Sequence, residues 1–337
     1  MAEQQLTSEA ELIALLAPLT AGAPGAFGLR DDCAQLSPRP GYDLVLKTDP
    51  VRAGVHFFAD DAPEDIAWKA LAVNVSDLAA KGAEPVAYLM ALSFPEVPER
   101  AWMTRFAEGL RQAQTAFGCH LIGGDTDRAP GPLSIAITVI GEVPTGQMVQ
   151  RGTARTGDAI YVSGTLGDAG LGLIVRRDVP NWRDEVCGPF QLPARHITPV
   201  VQRYLRPQPR IELAGTLRQH ASAAMDLSDG LVKDLERMCK ASGVGAEIDC
   251  GVMIFSDAVQ WVLNRQPELL STILSAGEDY EILAAVPPQA ISAFEAKIKR
   301  TSVQMQRIGT FVEGSGVVVK RMDGSEIKFD RKGWEHF

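Results

Sequence analysis

Residues 119–139, CHLIGGDTDRAPGPLSIAITV, contain the pattern that decides the fold. The short run at 119–122 predicts a strand, and the GGDTDR segment after it predicts a loop. A longer strand follows, because every second residue from 133 to 139 is apolar, as expected when one face of a sheet is buried. Acidic residues at the end of a strand lie where open α/β sheets bind ligands. The stretch therefore predicts a sheet with an acidic, ligand-binding end.

Helical patterns precede this stretch. In residues 63–81, apolar positions repeat at helical spacing, while Asn74, Asp77 and Lys81 share a polar face. A second helix is predicted from about residue 99 and ends at Gly118, a natural C-terminal stop. Together with a strand at 42–47, these elements predict a mixed α/β N-terminal half.

The length of 337 residues exceeds the size at which one core usually keeps growing. Residues 141–158 are rich in Gly, Thr, Pro and Arg, which is typical of a domain junction. Strand and helix patterns then resume from residue 159. The sequence predicts an α/β protein of mixed sheets with two domains, residues 1–150 and 151–337.

Composition narrows the class of ligand. A net charge of −9 argues against nucleic-acid binding, since phosphate backbones attract basic surfaces. No apolar run approaches the roughly 20 residues of a membrane span, so no membrane contact is expected. The N-terminus lacks a signal-peptide pattern, so a cytoplasmic location is expected. The five cysteines form no C-x-x-C pair, which predicts neither a zinc site nor a disulfide framework.

The acidic residues that stand out lie beside glycine or small residues at predicted element ends. Taken singly, each fits a structural role: Asp229 as a helix N-cap, Asp125 as a turn former, Asp77 as a solvated helix residue. Taken together, they offer the oxygen ligands that Mg²⁺ requires, with phosphate oxygens completing its coordination. The set comprises Asp31, Asp32, Asp49, Asp77, Asp125, Asp127, Asp226, Asp229, Glu278 and Asp279.

Several familiar catalytic patterns do not occur in the sequence. It contains no P-loop, no protein-kinase H-R-D or D-F-G set and no G-x-S-x-G elbow. Its five histidines show no zinc-protease spacing. Transfer of a phosphoryl group from a nucleotide whose phosphates are held by several Mg²⁺ ions is the interpretation that the acidic set favours.

A set of short segments occurs in a fixed order along the chain. In that order, these segments are DDCA, KTD, GVHF, NVSDLAAKGAEP, LIGGDTDR, VQRG, MDLSDGL, GEDYE and GWEHF. Through this set the chain resembles the thiamine-monophosphate kinase family. The resemblance covers nearly the whole chain. The same superfamily holds aminoimidazole ribonucleotide synthetase and selenophosphate synthetase, but GVHF, GEDYE and GWEHF favour the kinases. It implies a fold like that of aminoimidazole ribonucleotide synthetase. The N-terminal domain would bind ATP and Mg²⁺ and pair with its twin in a homodimer, and the C-terminal domain would complete the active site.

The resemblance also implies roles for individual residues. Several Mg²⁺ ions would be bound by Asp32, Thr48, Asp49, Asp77, Asp125, Asp226 and Asp229. The co-substrate ATP would be contacted by Gly124, Asp125, Arg151 and Ser228. Thiamine monophosphate would be contacted by His56, Glu278 and Trp334.

The chain departs from the family pattern at two positions. Arg30 stands where glycine usually precedes the Asp pair, and Lys47 stands where a small hydroxyl residue is common before Thr-Asp. Lys47 either donates to a phosphate or lies outward.

The implied reaction moves the γ-phosphoryl group of ATP directly, in line, onto the phosphate of thiamine monophosphate and yields thiamine diphosphate. The attacking phosphate oxygen is already mostly ionised at neutral pH, so no acid or base residue is required. Three alternatives stay open: another ATP-dependent synthetase of this superfamily, a Mg²⁺-dependent phosphatase, or a silent nucleotide-binding protein. Selenophosphate synthesis would need a reactive cysteine in a glycine-rich N-terminal segment, and Cys33, directly after the Asp pair, does not fit it.

Overall fold

The computed structural model describes residues 5–179, 182, 187–321 and 323–335. Its contacts divide the chain into two units. Unit 1 comprises Met1–Leu78 and Ala83–Gln147, and unit 2 comprises Ala79–Gly82 and Met148–Phe337. The functions predicted for domains 1–150 and 151–337 stay predictions. In the described part of the chain, no helix is long and apolar enough to cross a membrane.

Unit 1 is built on a mixed sheet flanked by helices. Its elements are α1 Glu9–Leu16, β1 Tyr42–Arg52, α2 Pro63–Ala80, β2 Glu84–Phe94, α3 Arg100–Phe117, β3 His120–Arg128 and β4 Ser134–Pro144. The described strands are ordered β1-β4-β2-β3. β4 is antiparallel to both β1 and β2, whereas β2 and β3 are parallel. As predicted, α3 ends at Gly118, which adopts the left-handed conformation.

The predicted loop at GGDTDR is wrong, because these residues continue β3. They pair with β2 up to the Phe94–Arg128 register. The pairing brings the two backbones so close at Gly124 that an added Cβ would lie 1.8 Å from the carbonyl oxygen of Met90. Glycine therefore permits close pairing here and does not mark a turn, a distinction that local propensity alone cannot make.

Unit 2 contains a second mixed sheet. Its elements are β5 Ala159–Ser163, α4 Asp168–Asp178, α5 Ala194–Leu205, α6 Ala214–His220, β6 Ala223–Leu227, α7 Leu231–Ser242, β7 Gly245–Asp249, α8 Asp257–Leu263, α9 Leu270–Ser275, β8 Glu281–Val286, α10 Ile291–Ile298, β9 Met305–Val312 and β10 Gly316–Lys320. The described strands are ordered β10-β7-β9-β5-β8-β6.

Both faces of the unit 2 sheet are covered by apolar residues. On one face, Ile160 and Val162 of β5 pack with Leu235 of α7. On the other face, Tyr161 packs with Phe294 of α10. Because successive strand residues point to opposite faces, a strand buried on both sides reads as a continuous apolar run. This explains why residues 159–162 could be predicted as a strand from sequence.

A network of buried charges holds the segment between α9 and β8. The Asp279 carboxylate accepts the backbone N–H of Gly167 at 3.0 Å, and Arg203 Nη2 donates to the Asp279 carbonyl at 3.1 Å. Arg203 and Arg210 both form ion pairs with the fully buried Glu281. Burial raises the pKa of Asp279 to about 8. A buried charge is costly unless paired, so these contacts fix the segment in one position.

We expect Gly124→Ala to destabilise unit 1 far more than the neighbouring Gly123→Ala. At Gly124 the new methyl group would meet the backbone of Met90, whereas at Gly123 it would meet only Leu89 Cδ2, at 3.2 Å. Overpacking against backbone costs about 3 kcal/mol, or roughly 5–10 °C in Tm. Calorimetric scans of the two variants measure the difference, and equal Tm values would contradict the close pairing.

Candidate active site

Two proposed metal ligands of unit 1 converge on one protein cation. Lys47 Nζ lies 2.9 Å from Asp49 Oδ2 and 2.8 Å from Asp77 Oδ2. Burial lowers the pKa of Lys47, but the attraction of Asp77 and the hydrogen bonds to both carboxylates outweigh it and raise the pKa above its usual value. Lys47 is therefore a full positive charge between two negative charges. The outward orientation considered for it is not observed.

Asn74 fixes the backbone of Asp49. Its side chain is fully buried in α2, and its Oδ1 accepts the Asp49 N–H at 2.8 Å. Its Nδ2 donates to the carbonyls of Ala70, at 3.1 Å, and Asp49, at 3.3 Å. Asp77 lies three residues further along the same helix, close to one turn. Helix α2 thus positions both carboxylates that contact Lys47, because it carries Asp77 and its Asn74 bonds the backbone of Asp49.

Thr48 and Asp125 lie on the opposite face of the unit 1 sheet from Asp49. Thr48 is paired with Thr138, whose hydroxyl donates to the Thr48 hydroxyl at 3.0 Å. Leu89 is also paired with Thr138, and Asp125 is paired with Ala91 two residues further along β2. Directly opposed residues share a face and successive residues alternate. The proposed ligands of unit 1 are therefore divided between two faces.

Two further predicted residues lie outside the strands of unit 1. Asp32 is exposed in the segment before β1. Nearby, Arg30 Nε donates to the Phe27 carbonyl at 3.2 Å. His56 lies in the turn after β1, where its Nδ1 accepts the Arg52 N–H at 3.1 Å. That bond places the proton of a neutral His56 ring on Nε2.

In unit 2, Ser228 and Asp229 lie in the loop that begins α7. Both backbone N–H groups donate to Asp234 Oδ2, at 3.0 and 2.9 Å. The Asp229 carboxylate lies 3.2 Å from Lys233 Nζ and 2.6 Å from Arg237 Nη2. Burial raises the pKa of Asp234 to about 6, and the negative charge of Asp229 adds to the shift. The N-cap prediction for Asp229 is wrong, because Gly230 is the N-cap residue of α7 and Asp234, in the first turn, accepts from the loop before the helix.

The substrate residues predicted in unit 2 lie against this loop. The Glu278 N–H donates to the Ser228 carbonyl at 2.9 Å, and the Trp334 N–H donates to the Asp229 carbonyl at 3.0 Å. Lys233 Nζ also donates to the Trp334 carbonyl. Glu278 has a positive φ of 74°, so its backbone is held in an unfavourable region for a non-glycine residue. Trp334 as a whole is 54% exposed.

Asp226 and Arg151 occupy different positions in unit 2. Asp226 is buried in β6 and paired with Ile282. Arg151 is exposed, and its carbonyl accepts from Ser242 Oγ at 3.4 Å, at the C-terminal end of α7. Asp229 precedes the other end of this 12-residue helix. A helix of that length spans about 18 Å, so the structure does not bring Arg151 to Ser228 within one chain.

The donor set suits Mg²⁺ in chemistry, because it consists of oxygen ligands. Among the residues that the structure describes, no three His, Cys, Asp or Glu side chains are assembled as a metal site. The carboxylates instead meet protein cations, and the Asp49–Asp77 pair shows that two of them can share one positive charge. Phosphate oxygens would have to supply the remaining ligands.

The sequence analysis missed residues that position the acidic set. Asp234 and Arg237 are three residues apart, a helical spacing at which opposite charges attract, and this signal was available in the sequence. Asn74 was placed on the polar face of α2, yet it is fully buried because its amide satisfies two backbone positions. Its role could not be predicted without knowing that β1 lies against this helix.

Family models match both halves of the chain. Residues 30–143 match the N-terminal domain of AIR synthase related proteins, and residues 155–321 match the C-terminal domain. The two matches cover more than half of the sequence, and they confirm the predicted fold class.

Individual relatives extend the match over almost the entire chain. A thiamine-monophosphate kinase of Caulobacter vibrioides is 40% identical over 96% of this chain and 88% of its own length. The crystal structure of thiamine-monophosphate kinase from Stenotrophomonas maltophilia is 36% identical, with a TM-score of 0.82 over 95% of this chain and 98% of that one. AaThiL complexed with AMPPCP and TMP is 32% identical over the full length of both chains, with a TM-score of 0.75. The chain belongs to the thiamine-monophosphate kinase family of AIR synthase related proteins.

Proposed function

We propose that this protein is a kinase that phosphorylates thiamine monophosphate with ATP and releases thiamine diphosphate and ADP. The observation that carries the proposal is the full-length similarity to AaThiL, which is complexed with AMPPCP and TMP. Both chains are covered completely, so the similarity includes the segments that carry every proposed site residue. It favours this reaction over another synthetase, a phosphatase or a silent nucleotide-binding protein.

In unit 1, we propose that Asp32, Thr48, Asp49, Asp77 and Asp125 bind Mg²⁺. We also propose that Gly124 and Asp125, which are adjacent on β3, contact ATP. The division of these ligands between two faces of the sheet favours two separate groups of cations. His56, whose ring presents Nε2–H when neutral, would donate to thiamine monophosphate.

In unit 2, we propose that Asp226 and Asp229 bind Mg²⁺ and that Ser228 contacts ATP. Glu278 and Trp334 would contact thiamine monophosphate, and their backbone bonds to Ser228 and Asp229 support a shared location for the two substrates. The ring of Trp334, an exposed residue, suits a cationic thiazolium, which an aromatic face attracts. We propose that Arg151, at the far end of α7, also contacts ATP, with the second chain of the homodimer supplying the remaining contacts.

The proposed phosphoryl transfer depends on neutralising the charge of the phosphates and on holding them in line. Bound Mg²⁺ would neutralise the phosphates, whose mutual repulsion otherwise opposes in-line approach. The acceptor phosphate is already ionised near neutral pH, so no side chain needs to remove a proton. Asp229 would exchange part of its contact with Lys233 and Arg237 for a metal, leaving those two cations beside the phosphates. Phosphate recognition by Arg and Lys is a common use of such freed side chains.

A homodimer and a cytoplasmic location also belong to the proposal. The face of the unit 1 sheet that carries Thr48 also exposes Leu46 and Leu89, at 63% and 38%. Exposed apolar residues grouped on one face are typical of a protein–protein interface. They support pairing of two N-terminal domains through this sheet.

The direct test incubates the protein with ATP, Mg²⁺ and thiamine monophosphate, with products separated by chromatography. We expect thiamine diphosphate and ADP in equal amounts. In the same assay Asp125→Asn should lower kcat by several orders of magnitude while the fold persists by circular dichroism. Asp178→Asn is the control, because Asp178 is exposed and pairs with the neighbouring Arg177, and it should stay within a few-fold of wild type. Free phosphate without thiamine diphosphate, or equal activity of both variants, would contradict the proposal.

Trp334→Ala should raise KM for thiamine monophosphate while leaving KM for ATP nearly unchanged. Loss of about 1–2 kcal/mol of ring contact with a cation corresponds to roughly a 5- to 30-fold increase. Trp261→Ala is the control, since its ring is already engaged by the Arg265 guanidinium at 3.5 Å. Initial rates at varied concentrations of each substrate measure both constants. A proportionate rise in the two KM values would place Trp334 away from the thiamine substrate.

A further inference from the structure

Lys47 differs from the other cations that contact proposed metal ligands. Its ammonium bridges two of them, Asp49 at 2.9 Å and Asp77 at 2.8 Å. Lys233 and Arg237, by comparison, both contact the single proposed ligand Asp229. Lys47 therefore stands between two carboxylates, where a shared metal ion would otherwise bind.

The bridge is built into the sheet and the helix. Lys47 and Asp49 are two residues apart on β1, so their side chains leave the same face of the sheet. Asp77 comes from α2, which is bonded to the Asp49 backbone through the buried Asn74. The Lys47 side chain is only 31% exposed and Asp77 is 26% exposed. The geometry thus does not depend on a freely moving surface lysine.

We propose that the ammonium of Lys47 replaces one divalent cation of the active site. A Mg²⁺ ion bound to both Asp49 and Asp77 would have to occupy the space that Nζ now fills, and the two positive charges would repel. The ammonium takes the position between Asp49 Oδ2 and Asp77 Oδ2, so these two residues share no Mg²⁺ there and keep their Oδ1 atoms as metal ligands. The chain would then bind one divalent ion fewer than a chain with a small residue at position 47.

The alternative role for Lys47, donation to a substrate phosphate, requires its ammonium to leave two close carboxylates. An ammonium has three donors, and two of them are directed to Asp49 and Asp77. A phosphate brought to this point would meet those two carboxylates as well as the lysine. The local charge of one cation and two anions is therefore unfavourable for direct phosphate binding by Lys47.

The inference deepens the proposed function and rests on the assignment of Asp49 and Asp77 as metal ligands. It concerns how many ions bind and does not concern turnover. Counting bound ions therefore separates it from the kinase assay.

The test counts Mn²⁺ ions bound per chain in the presence of AMPPCP, using the electron paramagnetic resonance signal of free Mn²⁺. Lys47→Ser introduces a small hydroxyl residue, and Lys47→Met removes the charged Nζ position while keeping a four-atom apolar side chain. Both variants should bind one more ion than wild type, or bind the last ion at least ten-fold more tightly. Lys320→Ser is the control, because Lys320 pairs with the single carboxylate Glu247 at 2.7 Å. It should bind as many ions as wild type.

A double variant locates the additional ion. Asp77→Asn in the Lys47→Ser background should return the count to that of wild type, because one of the two carboxylates is lost. A parallel measurement follows Tm against Mg²⁺ concentration, and Lys47→Met should gain more Tm from Mg²⁺ than wild type does. If both single variants show the ion count and the Tm gain of wild type, the proposed role of Lys47 is wrong, while the metal assignment is unaffected. Absence of Mn²⁺ binding by wild type with AMPPCP would overturn the metal assignment too.

Discussion

The pairing of acidic side chains with protein cations is the interaction on which the candidate site depends. Two carboxylates at about 4 Å repel by roughly 4 kcal/mol near a protein surface. The chain offsets this by placing Lys47 between Asp49 and Asp77, and by placing Lys233 and Arg237 beside Asp229. The acidic set can therefore stay folded and ordered before any ligand binds. At Asp229, ligand binding would then replace part of the existing ion pairs and need not create a charged site from nothing.

The two sheets place these charges by simple geometric rules. In unit 1, side chains alternate along β1, so Thr48 and Asp49 lie on opposite faces of the sheet although they are neighbours in sequence. In unit 2 backbone bonds join the loop before α7 to Glu278 and to Trp334. Strain at Glu278 is maintained by the buried Asp279 and Glu281 contacts beneath it. Regular elements thus fix irregular segments that carry the chemistry.

Much of the fold could be predicted from the sequence, but less of the candidate site could be. Long helices and alternating strands were predictable, because α3 repeats its apolar residues and ends in a left-handed Gly118. The GGDTDR segment was predicted wrongly, since close pairing with Met90 depends on a partner strand that local propensity does not reveal. The acidic residues were visible in sequence. The Lys47–Asp77 and Asn74–Asp49 contacts were not predicted, because they join residues distant in sequence, whereas Lys233 and Arg237 lie within eight residues of Asp229 and were missed.

The central claim is that the phosphoryl group passes directly from ATP to the acceptor phosphate. The carboxylates of this chain bind cations, and none of them acts as a nucleophile. Stereochemistry at the transferred phosphorus tests this most directly. ATP made chiral at its γ-phosphorus with oxygen isotopes is turned over with thiamine monophosphate, and the configuration of the product is read by phosphorus NMR. Direct in-line transfer predicts inversion of configuration. Retention would show two successive displacements through a phosphorylated side chain and would contradict the account.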